Sequence, residues 1–306
     1  MIQDTSKMTR CGFATLVGSP NAGKSTLLNK IVGTKISIVS PKAQTTRFRI
    51  LGILIRKSSQ ILLVDTPGIF QPRRMFDKAM MAATWEGTGD ADIVLLLVDV
   101  KSGLTSLVEG IIERLRSSDR NVWLVLNKID LINPDILLRL TTSLIEKMRF
   151  ERVFMVSALT GSGIEDLLDQ LADHLPEGPY LYPEDDLTDL PERLFAAELV
   201  REQIFIQSHE EVPYSVTVET ESYKEQCDGS IRVDIVIYVL RPGHKAILIG
   251  HGGQKLRRIG EKARKQLSRL LGRPCHLFLN VKERSGWDRE RERLRAIGLD
   301  VVRTCT

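Results

Sequence analysis

Along the first 175 residues, short wholly apolar runs alternate with longer stretches whose apolar positions recur every three or four residues. Short continuous runs bounded by polar turns read as strands buried on both faces, and the longer periodic stretches read as helices. The runs at 12–17, 93–99, 122–127 and 153–156 predict such strands, and 24–32 predicts the first helix. The last three runs are each followed by amphipathic sequence of helix length. Two further runs, 48–55 and 60–65, are separated only by Arg56-Lys57-Ser58-Ser59, which predicts an antiparallel hairpin. Strands that alternate with helices bury a mostly parallel sheet between helical layers, so an α/β fold is expected here.

The pattern changes at residue 175. Pro176, Pro179, Pro183 and Pro191 punctuate an acidic segment containing Glu184, Asp185 and Asp186. Proline lacks an N–H and cannot continue a helix or supply a central strand, so 176–190 reads as a linker. Beyond it the sequence predicts a helix at 192–208, strands at 214–221 and 230–239 and a glycine-rich loop. A basic helix at 255–271, a strand at 276–281 and a charged helix at 288–297 follow. The expected organisation is a disordered tail (1–9), an α/β domain (10–175), the linker, and an α+β domain (191–306).

Composition adds exclusions. The chain has 306 residues, 42% hydrophobic and 27% charged, as ordinary globular proteins do. No run approaches the roughly 20 apolar residues that span a bilayer, and residues 1–10 are polar, without an apolar signal core. Cys11, Cys227, Cys275 and Cys305 form no C-x-x-C pair, and the histidines at 174, 209, 244, 251 and 276 show no ligand spacing. Neither a zinc site nor a disulfide framework is expected, and a reducing, cytoplasmic setting fits.

The charge is uneven. Residues 1–190 carry 22 Lys+Arg against 23 Asp+Glu, whereas 191–306 carry 21 against 16. Within 241–284 the count is 12 against 2. One sign concentrated this way points to a polyanionic partner for the second domain.

Candidate chemistry begins between the first strand and helix. Gly18-Ser19-Pro20-Asn21-Ala22-Gly23-Lys24-Ser25 follows the G-x-x-x-x-G-K-[ST] pattern, with Thr26 next in the helix. The glycines let backbone N–H groups cradle phosphate oxygens, Lys24 brings a point charge to the β- and γ-phosphates, and Ser25 offers a hydroxyl to Mg²⁺. Asp65-Thr66-Pro67-Gly68 closes the next strand of the pattern. There Asp65 can reach the metal through water and the Gly68 N–H can meet the γ-phosphate. Asn127-Lys128-Ile129-Asp130 ends the strand 122–127. The Asp130 carboxylate would accept from N1–H and the 2-amino group of guanine, a donor pair that adenine lacks. Lys128 would lie along the base and Asn127 would tie loops together. Ser157-Ala158-Leu159, after the following strand, would offer a backbone N–H to the guanine O6. The expected ligand is GTP or GDP, with Mg²⁺ as cofactor. Catalytic weight falls on Lys24 and Gly68, with Ser25 and Asp65 in the metal set.

In the second domain, Gly250-His251-Gly252-Gly253 is a G-x-x-G loop ahead of the basic helix. Such a loop lets the backbone approach a sugar–phosphate chain, with the helix N-terminus favouring the anion. This is how KH domains clamp about four nucleotides of single-stranded RNA. Lys255, Arg258 and Lys262 recur at helical spacing and are the expected cations, with Arg257, Arg264 and Lys265 as the other candidates.

These motifs, in this order, resemble those of the Era family of GTPases over almost the whole chain. Gln44-Thr45-Thr46-Arg47 resembles that family's first switch. The resemblance implies a P-loop GTPase domain followed by a type II KH domain, with Thr46 closing on Mg²⁺. Thr45 is the competing assignment. It further implies small-subunit ribosomal RNA, at its 3′ end, as partner during subunit assembly, and a monomer with peripheral contact at the inner face of the membrane. Many GTPases have a water-orienting glutamine after D-x-x-G, where this chain has Ile69. Turnover is therefore expected to be slow or assisted. Asn21 resembles the residue that recruits K⁺ in relatives of the family. Two alternatives stay open: a constitutive RNA-binding module with structural nucleotide, and a GTPase of the tRNA-modification type.

Overall fold

A computed structural model describes residues 8–72, 74–208, 211–296 and 299. Most of the expected tail and the end of the 288–297 helix lie outside the described residues. The chain divides into two compact units, one holding residues up to 37 and 46–189, the other 38–45 and 190–301.

The first unit runs β1 (Arg10–Gly18), α1 (Lys24–Val32), β2 (Ile50–Arg56), β3 (Ser59–Asp65), α2 (Met75–Gly89), β4 (Ile93–Asp99), α3 (Ser106–Arg116), β5 (Val122–Asn127), α4 (Pro134–Lys147), β6 (Arg152–Val156) and α5 (Ile164–His174). Its sheet has the order β2-β3-β1-β4-β5-β6. Only β2 and β3 pair antiparallel, with Ile50 opposite Asp65 and Arg56 opposite Ser59, and the other neighbours run parallel. The continuous apolar runs of β4 and β5 are buried apart from Asp99, as strands covered on both faces require. Parallel strands end on the same side. Gly18, Asp65, Asp99 and Asn127 therefore emerge along one rim, where ligands of open α/β sheets bind.

Residues 176–189 belong to this unit and form more than a tether. Gln60, fully buried, donates to the Tyr182 carbonyl at 2.8 Å and accepts from the N–H groups of Leu181 and Tyr182. The Ile53 N–H donates to the Leu187 carbonyl at 2.9 Å, so the segment covers the outer edge of β2. Replacing Gln60 with Leu leaves buried backbone groups unpaired. At roughly 1–3 kcal/mol for each such group, a loss of about 3 kcal/mol in urea unfolding is expected. Stability within error of wild type would show that the segment is not held this way.

The second unit runs α6 (Glu192–Gln207), β7 (Val216–Glu225), β8 (Ile231–Val239), α7 (Pro242–Ile249), α8 (Gln254–Leu271), β9 (Cys275–Glu283) and α9 (Arg291–Ala296). β7 and β8 pair antiparallel and β9 adds parallel to β8. Leu199, Val200 and Ile204 of α6 pack with Val233 and Ile237 of β8 and with Ile259, Ala263 and Leu267 of α8. The short helix α7 stands where the sequence reading expected only loop. Pro242 starts it at the first helical turn, where a missing N–H costs nothing, and Gly250 ends it after two turns.

Residues 38–45 complete this unit. Ile38 enters its core, and buried charges of α6 hold the rest. Arg201 donates to the Thr45 carbonyl at 2.6 Å while paired with Glu198, and Glu202 accepts from the Val39 N–H at 2.8 Å. The Lys42 ammonium meets the carbonyls of Phe205 and Ser208 at the end of α6. No described helix is long and apolar enough to cross a membrane.

Candidate nucleotide and RNA sites

The loop 18–25 turns sharply between β1 and α1. Gly23 stands in the left-handed region at φ 98°, and a Cβ there would lie 2.2 Å from the Asn127 amide nitrogen. Only glycine fits. The Asn127 side chain occupies that space, donating to the Ala22 carbonyl at 2.8 Å and accepting from the N–H groups of Lys128 and Ala158. It thus ties three loops together, as its position in the sequence suggested. Ile69 N–H donates to the Gly18 carbonyl at 3.0 Å, which lays the D-x-x-G segment against the phosphate loop.

Lys24 is buried, its ammonium 3.1 Å and 3.0 Å from the Gly18 and Ser19 carbonyls. Burial lowers its pKa to about 8, against the pull of Asp65. Asp65 is also buried, and desolvation raises its pKa while Lys24 and the hydroxyls of Ser25, Ser37 and Thr46 lower it. Each of these charges would be relieved by what the motif is built to hold: anionic phosphate near Lys24 and a cation near Asp65.

Three hydroxyls converge on one oxygen of that carboxylate. Asp65 Oδ2 accepts from Ser25 at 2.6 Å, Ser37 at 3.0 Å and Thr46 at 3.3 Å, and Ser25 and Thr46 lie 2.9 Å apart. Asp65 Oδ1 is buried without a partner among the described residues. A cluster of hard oxygen donors with one orphaned carboxylate oxygen suits Mg²⁺. Of the two competing threonines, Thr46 is the one in this cluster. Thr45 bonds Ser40 and the Lys42 carbonyl instead.

Lys128, at φ 70°, reverses the chain after β5, and the next turn presents Asp130 exposed at the rim. The Lys128 ammonium bridges the Asn21 carbonyl at 2.7 Å and Asp99 at 2.6 Å. Leu159 is exposed, but the Ala158 N–H is already engaged by Asn127. Thr66 turns its hydroxyl onto the Leu16 carbonyl at 2.6 Å, fastening the end of β3 to β1.

In the second unit the G-x-x-G loop is a tight turn joining α7 to α8. Gly250 has φ 71°, and a Cβ there would approach that of Lys255 to 2.8 Å. Behind the loop lies a groove of about 430 Å³ between α8 and β9. Leu256, Arg257, Gly260, Glu261 and Arg264 form one wall, with Arg257 paired to Glu261 at 3.0 Å, and Leu277, Phe278 and Leu279 form the other. Phe278 is 51% exposed, with the Arg232 guanidinium 4.7 Å from its ring centre. The expected cations divide about this groove. Ile259, Ala263 and Leu267 fix the buried face of α8, and the helical step then turns Arg257 and Arg264 to the groove and leaves Arg258 and Lys262 off it. Lys255 is half-buried beside the loop.

Comparison with known proteins bears on both sites. Residues 13–128 match the family model described as 50S ribosome-binding GTPase, and residues 211–288 match the KH domain. GTPase Era of Brucella suis biovar 1 is 49% identical over 292 residues, covering 95% of this chain and 94% of that protein. The chain belongs to the GTPase Era family. Among solved structures, Era in complex with MgGDPNP and nucleotides 1506–1542 of 16S ribosomal RNA has a TM-score of 0.91 at 38% identity, covering 95% of this chain and 99% of the other. An Aquifex aeolicus Era variant bound to GDP·AlF4⁻ matches with the same TM-score and identity, covering 95% of this chain and 100% of the other. Full-length likeness to Era, KH domain included, gives the tRNA-modification alternative no support.

Two residues that the structure brings to the nucleotide motifs, Ser37 beside Asp65 and Asp99 beside Lys128, escaped the motif pattern. Ser37 and Asp99 lie outside the quoted motifs, although Asp99 ends a parallel strand, which is a usable signal.

Proposed function

We propose that this chain is a GTP-hydrolysing switch whose KH unit binds the 3′ end of 16S ribosomal RNA during small-subunit maturation in the cytoplasm. The observation that carries the nucleotide half is the convergence of Ser25 and Thr46 on a buried Asp65 that keeps one oxygen free. In this reading Gly18–Thr26 wrap the phosphates, with Lys24 on the β- and γ-oxygens, and Asp130 selects guanine. Ser25, Thr46 and Asp65 would hold Mg²⁺. Bound there, Mg²⁺ supplies charge that offsets the γ-phosphate oxygens. A γ-phosphate would hold Thr46 and Gly68 in this closed arrangement, and hydrolysis would release them. Ile69 is buried and cannot orient water, so Asn21 is assigned to a K⁺ that speeds turnover.

The groove beside Gly250–Gly253 supports the RNA half, with exposed Phe278 as a stacking surface and Arg257 and Arg264 as phosphate contacts. The complex of Era with 16S RNA nucleotides 1506–1542 supplies the candidate sequence.

The test is affinity of the whole chain for that RNA fragment, with GDP or a non-hydrolysable GTP analogue, and GTP turnover in K⁺ and Na⁺ buffers. Tighter binding than to a scrambled RNA, and in one nucleotide state over the other, is expected, with faster turnover in K⁺. No preference for the fragment would sink the RNA assignment. Equal binding in both states would favour the constitutive module, and equal turnover would remove K⁺.

A further inference from the structure

The first unit has a groove that neither nucleotide nor RNA accounts for. It lies between α2 and α3, holds about 600 Å³, and opens beside residues 69–72, directly after Gly68. Ile69, Met81 and Ile111 are its buried floor, and the partly exposed Phe70, Trp85 and Leu107 are its walls. The exposed Arg114 guanidinium lies 4.0 Å from the Trp85 ring centre and makes no ion pair among the described residues.

Gly110 also lines the groove, in the middle of α3. A Cβ added there meets nothing within 4 Å. A glycine inside a helix costs stability relative to alanine, and at this position neither backbone conformation nor crowding demands it. What the missing side chain does is keep the groove open.

We propose that this groove docks a partner protein through an apolar, aromatic anchor followed by a carboxylate. The anchor fills the space over Ile69 and Met81 against Trp85, and the carboxylate takes the Arg114 fork. Aromatic anchors in apolar pockets bounded by a charge are the usual strong points of protein interfaces. The charge of Arg114 decides for an acidic partner. Because the floor continues from Gly68, docking differs between nucleotide states. That dependence rests on the GTPase reading above, and the docking itself does not.

The test uses the full chain and short blocked peptides, with Trp85 emission as readout. The chain has three tryptophans, and Trp123 and Trp287 are fully buried, so Trp85 reports on the groove. The probe is acetyl-Leu-Phe-Glu-Glu-Leu-amide, titrated in GDP and in a GTP analogue. Saturable binding is expected, about tenfold weaker when the Phe is Ala and about fivefold weaker with Arg114→Glu. Gly110→Leu, which fills the groove and favours the helix, should abolish binding while nucleotide affinity and melting temperature hold. Absence of saturable binding, or equal binding by the Ala and Phe peptides or by the Gly110→Leu chain, overturns the groove. An oligonucleotide that binds with the same dependence on Gly110 and Arg114 overturns the acidic peptide as occupant. Nucleotide binding and hydrolysis in the same samples separate the readings: an active GTPase that binds no peptide sinks only the groove. Binding equal in the two nucleotide states overturns the coupling to Gly68.

Discussion

With Asp130 replaced by Asn, affinity for GTP should fall about 10²-fold or more, and the chain should come to prefer xanthosine triphosphate. Guanine offers its N1–H and 2-amino donors to a carboxylate. Xanthine keeps the N1–H but carries a carbonyl oxygen at C2, which an amide can match with one acceptor and one donor. The rest of the base site is fixed independently of this residue. Asn127 straps the phosphate loop, and Lys128 is held by the Asn21 carbonyl and Asp99. The substitution on an exposed turn should therefore leave melting unchanged. Competition of GTP and XTP against a fluorescent GDP analogue, run on both proteins, measures the effect. Undiminished GTP affinity, or loss of both nucleotides by a folded variant, would remove Asp130 as the base-reading group.

The placement of Asp130 at the rim was legible because it is local: a strand end followed by a four-residue motif. The same holds for the phosphate loop and for the alternating pattern that gave the six-stranded sheet. What the sequence concealed depends on partners distant along the chain. The acidic, proline-punctuated stretch looked like a free linker, yet Gln60, 122 residues from Tyr182, binds it to the first unit. Residues 38–45 looked like part of the α/β domain. Ile38 and the buried pair Arg201 and Glu202 place them in the second unit, and no local pattern announces a helix whose charges are satisfied by a remote loop. The RNA groove was half legible. The glycine loop and the net charge were visible, whereas which of the six candidate cations of α8 line the groove needed the direction of its buried face.

The choice between Thr45 and Thr46 turns on the same boundary, and it yields the sharper test of the switch. In extended chain, successive side chains point opposite ways. Here Thr46 meets Ser25 and Asp65, while the Thr45 hydroxyl turns to Ser40 and its carbonyl to Arg201. In the switch proposed above, the Thr46 hydroxyl acts on Mg²⁺ while the γ-phosphate is present, and removing it takes that contribution from the reacting state. GTP turnover should then drop about 10²-fold with GDP affinity nearly unchanged, since interactions made only in the reacting state lower kcat and leave ground-state binding intact. Thr45→Ala keeps the carbonyl that Arg201 holds and should change turnover only a few-fold. Single-turnover hydrolysis beside GDP titration separates the two variants. The reverse ranking would move the switch threonine to Thr45 and would mean that the 38–45 segment leaves α6 before GTP is cleaved.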